Sequence, residues 1–279
     1  MPIHDQGYRR YGGGRQQQGR VWWVIARNGI LSVLRQRRFL ALLLFAWAPF
    51  IVRAVQLYVA ANFQQASFLA ASSETFAEFL DQQAVFVFFV TIYVGAGLIA
   101  NDRRANALQI YLSKPLTRSE YVAGKLMTLL VFLVGVTWVP AMLLLLLQIM
   151  FAGSLSFIQR NLFLFPAITL FSLLQVFTSA FAMLALSSMS KSSRFVGIMY
   201  AGAIFFTAAF YNAVRAMTGS SAFAWISPQD SLDILRNTIF RVRSPYEVSP
   251  IIALIAILAI IGGSVLILER RVRGVEVVT

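Results

Sequence analysis

Long apolar runs nearly free of charge, with Arg53 and Arg215 toward outer ends, alternate with short segments that crowd the charges together, and this pattern constrains the chain more than anything else in it. These runs are close to the ~20 residues that, at 1.5 Å each, cross a hydrocarbon core of about 30 Å. Composition agrees. Hydrophobic residues make up 58% of the 279, mean hydropathy is +0.71, and only 13% are charged, where a soluble domain carries about 25%. The pattern predicts an all-α integral membrane protein with six transmembrane helices, near 39–60, 83–100, 122–149, 162–187, 195–217 and 250–268. The second run is short for a crossing unless it extends back through Gln82 and Gln83, and the third and fourth are long enough to tilt or project.

Orientation follows from the basic residues. With the N-terminus inside, the great majority of the 24 Lys and Arg fall on the cytoplasmic side, which the positive-inside rule requires. Both termini are then cytoplasmic, in the plasma (inner) membrane expected of a prokaryotic protein. The net charge of +13 invites a nucleic-acid reading, but these charges flank apolar spans instead of forming a patch on a soluble module, so no nucleic acid is expected. Residues 1–19, rich in Gly, Gln, Arg and Tyr, read as a disordered cytoplasmic tail, and 271–279 as a second tail. The first apolar run begins too far in for a signal peptide. Ahead of it, Trp22, Ile25, Ala26, Gly29, Ile30, Val33 and Leu34 recur at helical spacing among Arg27, Arg35, Arg37 and Arg38. This suits an amphipathic interfacial helix near anionic headgroups, and equally a basic stop before an anchor. On the outside, 62–82 is acidic and suggests a short helix through Phe68, Phe76 and Phe79. The segment 220–249 holds Ser227-Pro228-Gln229-Asp230, a helix start followed by an apolar face.

What the chain lacks narrows its function. It has no cysteine, and its one histidine, His4, has no partner in the polar tail, so no metal site or thiol chemistry is expected. No carboxylate lies within a span away from its ends, where a proton- or cation-driven carrier keeps one. The internal polar residues are neutral: Gln148, Gln175, Thr178, Ser179 and Asn212. They read first as interhelical glue and second as a substrate path. Intramembrane protease and hydrolase motifs are missing. Gly124-Lys125 lacks the following hydroxyl residue of a phosphate loop. Gly95 and Gly97 end a membrane span, where glycines permit close helix packing. No catalytic, cofactor-binding or metal-binding residue is assigned, and the chain carries neither its own motor nor a visible ion coupling.

The loop after the second span is the exception to this blandness. Asn101 or Asp102 is placed to cap a short helix from Arg103 to about Leu112. Pro115 breaks that helix through Lys114, and Thr117 with Glu120 forms a capping box for the next. Apolar Leu108, Tyr111, Leu112 and Leu116 stand among basic residues, an elbow suited to a groove on a partner. Gly97-Leu98-Ile99-Ala100-Asn101-Asp102-Arg103, Ala107-Leu108, Tyr111 through Arg118, Tyr121 and Gly124-Lys125 together resemble the permease subunit of ABC-2-type transporters, although members often carry Glu where this chain has Asp102. The resemblance implies a dimer with a second permease copy or paralogue, and separate ATPase subunits that bind ATP and Mg. It implies that this region, the cytoplasmic coupling helix, touches the ATPase through Asn101, Asp102, Arg103, Arg104, Leu108, Tyr111, Leu112, Lys114, Pro115, Leu116 and Arg118, with Arg27 and Arg35 as additional contacts. Export of a substrate is the expected activity. A non-transporting subunit that transmits ATP-driven movement to an extracytoplasmic protein through 220–249 is the alternative, and a secondary carrier is disfavoured by the missing carboxylates.

Overall fold

The computed structural model describes residues 21–63, 72–107, 117–151 and 161–272, and all regular structure there is helical. Six helical stretches are long and apolar enough to cross a membrane: Arg37–Asn62, Ser73–Arg104, Arg118–Phe151, Leu164–Met189, Ser193–Thr218 and Pro250–Arg271. They match the six expected runs in order. The tail 1–19 lies outside the described residues, as does 273–279 of the expected tail 271–279; its first two residues are structured, Arg271 ending the last helix and Val272 being buried.

Two spans are bent where the sequence removes backbone donors. The first breaks at Trp47, with Pro49 in the first turn of its second half. The third breaks at Thr137, just before Pro140, and the Thr137 hydroxyl donates to the Leu133 carbonyl at 2.8 Å. Both bends follow from the missing proline N–H and its ring. A neighbour repairs the first: the buried Gln83 amide donates to the Ala46 carbonyl at 3.2 Å, as backbone groups at a bend in lipid require.

The second span departs from expectation at its start. The short helix predicted within 62–82 is instead the first turns of the span itself, which runs unbroken from Ser73 to Val90. Ser72 and Thr75 form a reciprocal capping box there. Phe76 and Phe79 face the core, not a membrane surface, because a longer helix reaches the third and fourth spans. At the same end, Arg53 pairs with Glu78 at 2.9 Å.

Spans two, three and four form the centre. In the third and fourth, 56% of the most apolar stretch is buried, against 11% in the first. A middle cluster around Val90, Leu129, Phe132, Val176 and Met183 joins them. The predicted helix after Ser227 exists as Pro228–Ile239, with the Ser227 hydroxyl accepting from the Asp230 N–H. This cap helix packs on the fourth, fifth and sixth spans and buries Ile234 and Leu235. Beneath it, between the second, fourth, fifth and sixth spans, lies a cleft of about 760 Å³.

Candidate coupling site

The second span reaches the loop through a break. After Val90 the helix widens into a π-turn, Thr91–Gly95, unwinds, and resumes as Ala100–Arg104. A π-turn strands backbone groups that apolar surroundings cannot satisfy. One hydroxyl from the fourth span repairs the break. Ser187 Oγ accepts from the Ile99 and Ala100 N–H groups at 3.1 and 3.0 Å, and donates to the Ala96 carbonyl at 2.9 Å. Gly95 allows this approach, since a Cβ there would sit 2.5 Å from Met183 and 3.0 Å from Leu129. The expected packing role thus holds at Gly95. At Gly97 an added Cβ would meet only the side chain of Asn101.

Asn101 and Asp102 do not cap a new helix. They lie inside the short turn Ala100–Arg104, whose N-cap is Ile99 with no side-chain bond, because the span's own helix resumes one turn earlier than the expected cap. Asp102 does something else. Its Oδ2 accepts from the Tyr121 hydroxyl at 2.7 Å and from Lys125 Nζ at 2.7 Å. Tyr121 and Lys125 stand four residues apart, on one face of the third span's first turns. Tyr121 is fully buried, and the Asp102 and Lys125 side chains are 19% and 14% exposed. Charge-assisted bonds of this length are among the strong ones. They clasp the second span to the third.

Arg103 makes a second clasp. Its guanidinium donates to the Ser188 carbonyl in the last turn of the fourth span, where a cation also meets the negative end of the helix dipole. Around both clasps lies an apolar cluster of Ile99, Tyr121, Leu184, Ala185, Leu268 and Val272.

Beyond Arg103 the chain turns. Asn106 takes a left-handed conformation, φ 52°, which Asn tolerates better than most residues. On the far side of the loop the predicted capping box is present: the Thr117 N–H donates to Glu120 Oε2 at 3.0 Å, and the Glu120 N–H to Thr117 Oγ1 at 3.3 Å. Both stems of the segment 108–116 are therefore held. Leu108, Tyr111, Leu112, Lys114, Pro115 and Leu116 lie outside the described residues. Asn101, Arg104 and Arg118 are exposed beside the stems.

The N-terminal helix, Val21–Leu34, completes the site. Its apolar face packs along the start of the third span, and Ala26 and Val33 are buried. Two glycines set the spacing. A Cβ on Gly124 would lie 2.8 Å from Ile25 and from the Trp22 carbonyl, and one on Gly29 would lie 2.6 Å from the Thr128 hydroxyl. Arg27 and Arg35 remain exposed. Five elements thus converge on one small region. Among the described residues the arrangement joins the second span to the third and fourth through side-chain bonds.

Sequence reading missed Ser187, Ser188 and Thr128, and placed Gly29 on the N-terminal helix's apolar face without its contact to Thr128. The serines closing the fourth run were the available signal, since a hydroxyl beside a buried helix break is suited to backbone repair; Ser187 does this, whereas the Ser188 hydroxyl donates to the Ala185 carbonyl of its own helix.

A family model described as an ABC-2 family transporter protein matches residues 23–271. Among curated proteins, none matches the chain.

Proposed function

The chain belongs to the ABC-2 transporter family as a multi-pass membrane permease subunit, and from that premise we propose that it exports a substrate using ATP hydrolysed by a separate nucleotide-binding subunit. ATP and Mg reside on that subunit. The permease works as a dimer with a second copy or a paralogue in a prokaryotic plasma membrane, both termini cytoplasmic. The ATPase docks on the loop between the second and third spans, and Arg104, Arg118, Arg27 and Arg35 line its approach.

The observation that carries this reading is the Asp102–Tyr121–Lys125 clasp. A push on the loop reaches two stems already joined to each other, so it displaces the second and third spans together instead of straightening the loop. Arg103 and Ser187 pass the movement to the fourth span. The cleft under the cap helix favours transport over force transmission to an outer partner, since the latter has no use for a roomy bundle.

The test uses exposed residues only. Reversing Arg104 and Arg118 to Glu together is expected to leave membrane insertion intact and to cut co-purification of the ATPase subunit about tenfold, in line with the 1–3 kcal/mol expected of a few charge-assisted bonds. Arg103 is unsuited because its guanidinium is committed to Ser188. Undiminished recovery of the ATPase would overturn the docking assignment.

A further inference from the structure

We propose that the cleft under the cap helix binds a long-chain amphiphile with a cationic, hydrogen-bond-donating head, an alkylammonium, seated against the Asp81 and Asp233 carboxylates beside the Arg236 guanidinium they share. Only the naming of this ligand as cargo rests on the transport reading.

The walls are apolar, with Phe88, Phe89, Ala182, Leu186, Ile204 and Phe205 among them. Phe171 and Leu186, both lining residues on the fourth span, are about 22 Å apart at 1.5 Å per residue, so the cleft runs along the helices as an extended hydrocarbon chain would. Its volume, about 760 Å³, falls within the roughly 300–1,000 Å³ of small-molecule sites.

The end beneath the cap helix is polar and unbalanced. Arg236 Nη1 is shared by Asp81 and by Asp233, the latter at 2.9 Å. Two carboxylates face one guanidinium and all three side chains line the cleft. A pair of acids sharing one cation is short of positive charge, and at Asp233, which is largely withdrawn from water while Asp81 stays exposed, burial sharpens that deficit. Burial, with Asp81 and Asp230 nearby, pushes Asp233 up to about 6 despite Arg236.

A second observation points to the same occupant. Gln175 also lines the cleft, is only 4% exposed, and its Oε1 accepts no hydrogen bond among the described residues. A buried carbonyl oxygen without a donor is destabilising, so a ligand that supplies one is favoured there. It lies about one helical turn below Phe171, within the cleft's polar half. An ammonium N–H, or a hydroxyl beside it, supplies the donor, whereas a sulfate or carboxylate head supplies none and meets two like charges.

The experiment uses the full chain in nanodiscs of zwitterionic lipid, without ATPase or nucleotide. Octadecylamine carrying a fluorophore at its tail end is the probe, read by anisotropy at pH 7.5. Hexadecylamine should displace it, hexadecyltrimethylammonium (no N–H) should do so about tenfold less well, and hexadecyl sulfate not at all. Asp233→Asn and Gln175→Leu should each weaken binding about tenfold, and Ala182→Phe, which fills the cleft, should abolish it; size-exclusion profiles and melting curves confirm that each variant folds. Equal displacement by the sulfate would overturn the proposal, as would unchanged affinity in Asp233→Asn and Ala182→Phe. So would efficient disulfide formation between two copies bearing Ala203→Cys, in a chain with no cysteine of its own, because the cleft would then be a seam between subunits. The Arg104→Glu/Arg118→Glu variant should bind the amine normally, so a failure of ATPase docking and a failure of amine binding are told apart.

Discussion

Asp102 carries more of the coupling geometry than its neighbours in the loop because one carboxylate oxygen holds both Tyr121 and Lys125. Tyr121→Phe removes one charge-assisted bond and is expected to cost about 1.5–3 kcal/mol, read as a lower melting temperature in detergent. Lys125→Met should cost a similar amount or more, since it leaves a mostly buried carboxylate with only the phenol as partner among the described residues. A variant as stable as the parent would mean that the clasp is unmade in solution. Asp102, Tyr121 and Lys125 were all visible in the sequence as parts of one patterned stretch. What could not be read there was the direction of Asp102. Capping and clasping use the same residue type, and which one occurs depends on the π-turn eleven residues earlier that resets where the helix resumes.

At the level of elements, helix existence was legible and helix register was not. The six runs are set by hydrocarbon thickness, which any long apolar stretch must match. The breaks at Trp47 and Thr137 follow from Pro49 and Pro140. By contrast, the start of the second span at Ser73 depends on Phe76 and Phe79 finding the core, a tertiary fact. The N-terminal helix shows the same division. Its apolar positions were plain, but its destination, the third span, is decided by Gly124 and Gly29. Gly124→Leu should force these helices apart. Hydrogen–deuterium exchange is expected to show faster exchange across Val21–Leu34 while the six spans stay protected; unchanged protection would show that the helix is held elsewhere.

Across the whole molecule, a tightly buried trio of spans is flanked by three more exposed ones, and its two ends answer to different chemistry. One end is basic and clasped through Asp102. The other gathers Asp81, Asp230, Asp233, Arg236 and Tyr246, with Tyr246 donating to Asp230 at 2.9 Å. Burial raises Asp233 from 3.8 to about 6, so the folded state holds that proton more tightly than the unfolded one. The stabilisation is complete below about pH 4 and is lost as pH rises through 6. Because Asp233 keeps some solvent contact, the change is on the order of 1 kcal/mol. Melting temperature should therefore fall between pH 4.5 and 7, and Asp233→Asn should flatten that slope; an unaltered slope would assign it to another group. The clasp at the opposite end also bears on biogenesis. It needs nothing beyond Lys125, so it can close once the third span has entered the membrane. The cleft must wait for Ser264 and Ile267, about 140 residues and on the order of 10 s later at ribosomal speeds of about 5–20 residues per second. On the proposed reading, a nascent chain thus completes the elbow that would dock an ATPase before the cleft that would hold cargo exists.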